Sequence, residues 1–169
     1  MKPERTRVLA EGLVAGLLGY ASIVLFYGVV NLVSGRSFFH TAAELGGGLV
    51  GREAIGGAVA GAVLAFNGIH LLAFLLIGVA AAWVVGETER HPSLFALLLF
   101  IAIAGLLLSV AGFAILEAST GRGPSLASVA AASLLAGAVM AVYLFRAHPR
   151  LWREVREHVD PETEHPAPR

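Results

Sequence analysis

The sequence predicts an all-α integral membrane protein, an up-down bundle of four transmembrane helices. Composition is the first reason. Of 169 residues, 57% are hydrophobic and 14% charged, with a mean hydropathy of +0.77. Soluble domains average about 45–50% apolar and about 25% charged residues. Distribution is the second reason. The apolar residues fall into four runs, each close to the about 20 residues that a helix needs to cross a bilayer core of about 30 Å. Barrel strands would alternate apolar and polar positions, and the run Leu97-Leu98-Leu99-Phe100-Ile101-Ala102-Ile103 does not alternate.

The same composition excludes disorder for the bulk of the chain, because disordered segments are poor in apolar residues. With 12 Lys+Arg against 12 Asp+Glu and a formal net charge of zero, it carries no basic signature of a nucleic-acid partner. There is no cysteine. Disulfides, thiolate metal sites, iron–sulfur clusters and Cys nucleophiles are therefore excluded together.

The four expected spans cover residues 12–33, 59–85, 94–116 and 126–145, within a transmembrane domain of residues 1–148. The first is too long for the apolar core of a signal peptide, and Gly28-Val29-Val30-Asn31 does not form a small-residue cleavage site. The second and third are joined by the tight connection Gly86-Glu87-Thr88-Glu89-Arg90-His91-Pro92, the third and fourth by Ala118-Ser119-Thr120-Gly121-Arg122-Gly123-Pro124. Short connections make neighbours antiparallel. Nine of the Lys and Arg residues fall on the side of the N-terminal tail, residue 90 and the C-terminal tail, against Arg36, Arg52 and Arg122 on the other. The positive-inside rule then puts both termini in the cytoplasm, and the expected location is a bacterial inner membrane. Trp83 and Tyr143 sit where an inner aromatic belt would lie.

The connection from Ser34 to Ala58 is long and apolar. Phe38, Phe39, Ala42, Ala43 and Leu45 can form a short helix in the outer interface, with Gly46-Gly47-Gly48 as a flexible break after it. One reading makes this segment a cap on the bundle. Another makes it a docking surface for a partner, with Phe38, Phe39 and Leu45 as its apolar contacts.

Small residues recur four apart: Gly12-Gly16 and Ala15-Gly19 in the first span, Gly57-Gly61-Ala65 and Ala58-Ala62 at the second, Ser133-Gly137-Ala141 and Ala132-Ala136 in the fourth. Lipid gives no hydrophobic drive for helix association, so close backbone contact supplies much of it. Most such faces pack within the chain, and one can be spare for another subunit or a second copy.

Charges are nearly absent from the spans, and the polar residues that remain are the candidate site. Asn67 and His70 lie three apart on one helix face. Asn31 ends the first span and Glu117 the third. All four fall in the outer half of the predicted bundle, with Ser125 and Ser128 nearby. Intramembrane ionisable groups mark function by default. The structural alternative is a neutral His70 bonded to Asn67, to a carbonyl or to a serine, fixing helix register. Haem ligation would need a facing second histidine, which no span supplies. His91 and His148 each precede a proline at the inner surface, and two ligands fall short of a closed metal set. Catalytic motifs, metal sites and cofactor sites are not expected from any of this.

After Pro149, Leu151, Trp152, Val155 and Val159 form an apolar stripe beside Arg150, Arg153 and Arg156. A basic, Trp-bearing helix over residues 149–160 can lie on an anionic leaflet, with Arg150, Trp152, Arg153 and Arg156 as its surface contacts. Residues 161–169 are charged and proline-rich and are expected to be disordered. The halves also echo each other, Ser34-Gly35-Arg36 against Thr120-Gly121-Arg122, which raises a two-helix repeat, although helix ends attract such tripeptides anyway.

The run VVNLVSGRSFFHTAAELGG resembles a loose set of small four-helix bacterial membrane proteins with no assigned activity. The matching positions are Asn31, Gly35, Arg36 and Phe38 to Thr41, about a fifth of the chain. Glu44 and the triple glycine depart from that pattern. The resemblance implies the four-span fold and no function. The first functional expectation is a non-catalytic subunit or scaffold of a membrane complex, with the lipid bilayer and other membrane subunits or further copies of itself as partners. The second is a small-solute, ion or proton carrier using Asn31, Asn67, His70 and Glu117. The third is a haem-binding redox protein.

Overall fold

The computed structural model describes residues 3–50, 59–88, 91, 105 and 123–149. Apart from Gly105, the third expected span (94–116) lies outside the described residues. So do Glu117, the expected surface helix after Pro149 with Arg150, Trp152, Arg153 and Arg156, and the tail 161–169.

Every described element is an α-helix: α1 (Pro3–Val33), α2 (His40–Val50), α3 (Val59–Thr88) and α4 (Leu126–Ala147). Three of them, α1, α3 and α4, are long and apolar enough to cross a membrane. At about 1.5 Å per residue, the 31 residues of α1 reach well beyond a bilayer core. Their outer faces are apolar. Leu25 is 60%, Leu64 72% and Leu76 64% exposed, a surface that suits lipid rather than water and suggests a membrane protein.

The three long helices meet through small side chains. Ala15 and Ala82 are fully buried, and Ala62, Ala132 and Ala136 nearly so. α1 is the helix that the others share. Gly12 lies against Gly78 and Val79, and Gly16 against Phe74 and Leu75, so α1 and α3 run antiparallel with their backbones in contact. A Cβ on Gly12 would collide with Val79, one on Gly16 with the Phe74 carbonyl, and one on Gly78 with the Gly12 carbonyl. On its other flank α1 runs antiparallel to α4, with Gly19 against Met140 and Glu11 beside His148. α3 and α4 therefore point the same way and touch each other little.

The chain leaves α1 through a motif that only glycine accommodates readily. Gly35 has φ +71°, the Arg36 N–H donates to the Asn31 carbonyl at 2.8 Å, and the Gly35 N–H donates to the Leu32 carbonyl at 3.0 Å. This pair of bonds closes the last turn and satisfies carbonyls that the helix end would leave open. Phe38 and Phe39 precede α2 rather than lying inside it, and the Phe38 ring packs onto Gly28. The expected break at Gly46-Gly47-Gly48 is not observed: α2 continues through all three glycines to Val50. Packing explains the difference. A Cβ at Gly46 would strike the Ala62 carbonyl, so glycine there lets α2 lie directly on the α3 backbone. Such contact outweighs the roughly 1 kcal/mol helix penalty of a glycine. At the other end, α4 is opened by Ser125, whose side chain accepts from the Ser128 N–H at 3.3 Å.

Candidate functional site

Polar residues from α1, α2 and α3, among them Tyr20, Asn31, Thr41, Asn67 and His70, border one cavity. Tyr20, on α1, donates its hydroxyl to Asn67 Oδ1 at 2.9 Å, and Asn67 Nδ2 donates to the Val63 carbonyl one turn back at 2.8 Å. No bond between Asn67 and His70, which their spacing allowed, is observed; Tyr20 reaches across from the facing helix to the amide oxygen instead. His70 instead stacks on Phe66, with ring centroids 4.5 Å apart and planes 28° apart, and tilts against Phe74 at 6.2 Å. Among the described residues its ring nitrogens have no hydrogen-bond partner.

Asn31 is 3% exposed and serves the corner between α1 and α2. Its Nδ2 donates to the Phe38 carbonyl at 3.1 Å, and its Oδ1 accepts from the Thr41 hydroxyl at 3.1 Å. Both its side-chain groups are thus engaged in holding the turn, while the residue also borders the cavity.

The cavity measures about 370 Å³ and takes wall residues from α1, α2, α3 and α4. It brings together Asn31, Asn67 and His70, three of the four candidates read from the sequence; Glu117 lies outside the described residues. Phe38, Phe39 and Leu45, read as a docking surface, also border it. Phe39 is 47% exposed, whereas Phe38 and Leu45 are half-buried. Tyr20 and Tyr27 belong to the same wall and were not singled out by sequence. Their signal was present: residues 20, 27 and 31 share one face of α1 by helical spacing, so Asn31 pointed to both. None of the described wall residues is Asp, Glu, Lys or Arg.

A second polar cluster lies at the opposite end of α1. Arg7 Nε donates to Glu11 Oε1 at 2.7 Å, Arg7 Nη2 donates to the Ala147 carbonyl at 3.2 Å, and His148 Nε2 lies 3.0 Å from Glu11 Oε2. His148 is also the C-cap of α4, its N–H donating to the Leu144 carbonyl. It meets Glu11, while His91 stands 3.9 Å from Glu87, each histidine having a carboxylate neighbour. Among the described residues, no group of three or more His, Asp or Glu stands close enough to hold a metal ion.

No family model matches the chain, and neither a curated protein nor a solved structure does.

Proposed function

We propose that the chain is a non-catalytic, multi-pass membrane protein that holds a small lipid-phase solute in a cavity between its helices. The observation that carries this reading is the cavity itself. Small-molecule sites are concave, mostly apolar, about 300–1,000 Å³ in volume, and equipped with a few convergent polar groups. A volume of about 370 Å³ with Asn31, Asn67 and His70 on its wall fits that description. The chain in this reading has four spans and both termini in the cytoplasm of a bacterial inner membrane. The parallel run of α3 and α4 supports it, since a chain that inserts both must return across the bilayer between them. Asn31, Asn67 and His70 then occupy the outer half, and the arginines after Pro149 meet the inner leaflet.

A second reading, an accessory subunit docking in a membrane complex, has one observation in its favour. Among the described residues Gly137 faces open space, as Gly48, Gly68 and Gly86 do, whereas Gly12, Gly16, Gly19 and Gly46 are used within the chain. A spare glycine face on α4 is what a partner helix would need.

The deciding experiment compares organic extracts of the purified protein by mass spectrometry with those of Ala73→Trp. Ala73 borders the cavity, and a tryptophan there adds bulk at its wall. The expected result is a small molecule retained in proportion to the wild-type protein and lost from the variant. Identical extracts, with protein co-purifying instead, would move the assignment to the subunit reading.

A further inference from the structure

We infer that the solute is an uncharged molecule with a planar conjugated ring and an oxygen that exchanges hydrogen bonds with His70, the chemistry of a quinone headgroup. This rests on the cavity being a ligand site and names the class of its occupant.

Charge is the first argument. No acidic or basic residue is among the described wall residues, so these mostly apolar walls offer an ionic ligand no counter-charge. Burying a charge without one is strongly unfavourable. Ring chemistry is the second. Of 9 Phe, 3 Tyr and 2 Trp in the chain, Tyr20, Tyr27, Phe38, Phe39, Phe66 and Phe74 gather around this one space. Aliphatic walls would hold an aliphatic solute equally well, but clustered rings favour a conjugated plane through offset and edge-to-face stacking. The wall also has a template for the arrangement, since the His70 imidazole already lies stacked on Phe66 at 4.5 Å.

Hydrogen bonding is the third argument. Tyr20, Asn67, Asn31 and Thr41 are already bonded to protein groups. His70 borders the cavity with ring nitrogens that the described residues leave without a partner. A neutral imidazole has one N–H and one accepting nitrogen. It can therefore donate to a carbonyl or accept from a hydroxyl, matching both the quinone and the quinol form without a change of charge. The volume, near the lower end of ligand sites, suits a head of one or two rings.

The test uses the full chain in lipid nanodiscs and 2,3-dimethyl-1,4-naphthoquinone as the probe, with binding followed by equilibrium dialysis. The expected result is saturable binding, weakened about tenfold or more by His70→Leu and kept within about threefold by His70→Gln, which still exchanges hydrogen bonds. The anion 2-hydroxy-1,4-naphthoquinone and the ring-saturated 1,4-cyclohexanedione should both bind about tenfold or more weakly than the probe. Equal binding of the anion or of the saturated diketone overturns the ligand class, as does unchanged binding in a His70→Leu protein that melts like the wild type. Where His70→Leu does not fold, the probe series on wild type and His70→Gln decides. If Ala73→Trp removes the binding of every probe but no ring preference exists, the cavity stands and the class falls. If no probe binds while the extracts still differ between wild type and Ala73→Trp, the class likewise falls and the solute site remains.

Discussion

Gly12, Gly16 and Gly78 set the distance between α1 and α3, because each lies against the backbone of the other helix. A side chain at Gly16 has nowhere to go. Gly16→Val should therefore destabilise the protein by about 1–3 kcal/mol, the range for an overpacked contact. Gly137 offers the opposite case, with no described atom in the way of a Cβ. Gly137→Ala should leave the protein at least as stable as wild type, with a gain of up to about 1 kcal/mol from the better helix former. Thermal unfolding in mild detergent, read by circular dichroism, checks both, and equal effects would refute the packing account. Glu11 is a second informative residue. Its carboxylate, 14% exposed, accepts from Arg7 and meets His148. Glu11→Ala removes the carboxylate that Arg7 and the buried His148 share and should lose about 1–3 kcal/mol. Glu11→Gln, which retains an accepting oxygen, should lose less. Hydrogen exchange in the last turn of α4 should rise in Glu11→Ala, and an unchanged rate would show that this contact does not hold the helix end.

At the scale of elements, α1, α3 and α4 were legible because apolar runs of this length have few other uses. Their ends were less so. α1 begins at Pro3, in a polar stretch that a hydropathy reading leaves out, and it is helical there while carrying the Arg7–Glu11 pair that meets α4. α2 was legible as a helix near Phe38 to Leu45 but was cut short at the glycines. Glycine disfavours a helix in water, where the alternative is a free chain. Here the alternative is the loss of contact with Ala62, and contact wins. Gly46→Val should accordingly lift α2 from α3. Hydrogen exchange over residues 40–50 should accelerate while α1 and α4 stay protected; protection unchanged across α2 would mean that the close approach is not what holds it. Gly78 escaped notice for a related reason. Sequence offered several small-residue stripes, and only the fold shows that Gly78, one turn from Ala82, is the one that α1 uses.

For the whole molecule, the sequence located the polar residues in one half of the helices but not their partners. Spacing placed Asn67 and His70 on one face and left Asn67, a carbonyl or a serine as the possible partner of His70. The three-dimensional arrangement gave Asn67 to Tyr20 and left His70 to the aromatic wall. A tyrosine in an apolar run reads as packing, so its part in the site depended on which helix lay opposite. If this wall borders a space that a small molecule can enter, a reagent should reach it too, and a chain without cysteine allows that to be read at one introduced thiol. Ser133 borders the cavity, whereas the adjacent Leu134 is 57% exposed on the apolar outer face. A thiol reacts as its thiolate, which hydrocarbon does not support, so reaction at position 133 requires that the cavity admit water together with the reagent. With the protein in lipid nanodiscs, N-ethylmaleimide should modify Ser133→Cys about tenfold or more faster than Leu134→Cys, and adding Ala73→Trp should remove the difference. Equal rates at the two positions, or a fast reaction at Ser133→Cys that Ala73→Trp leaves untouched, would contradict the cavity.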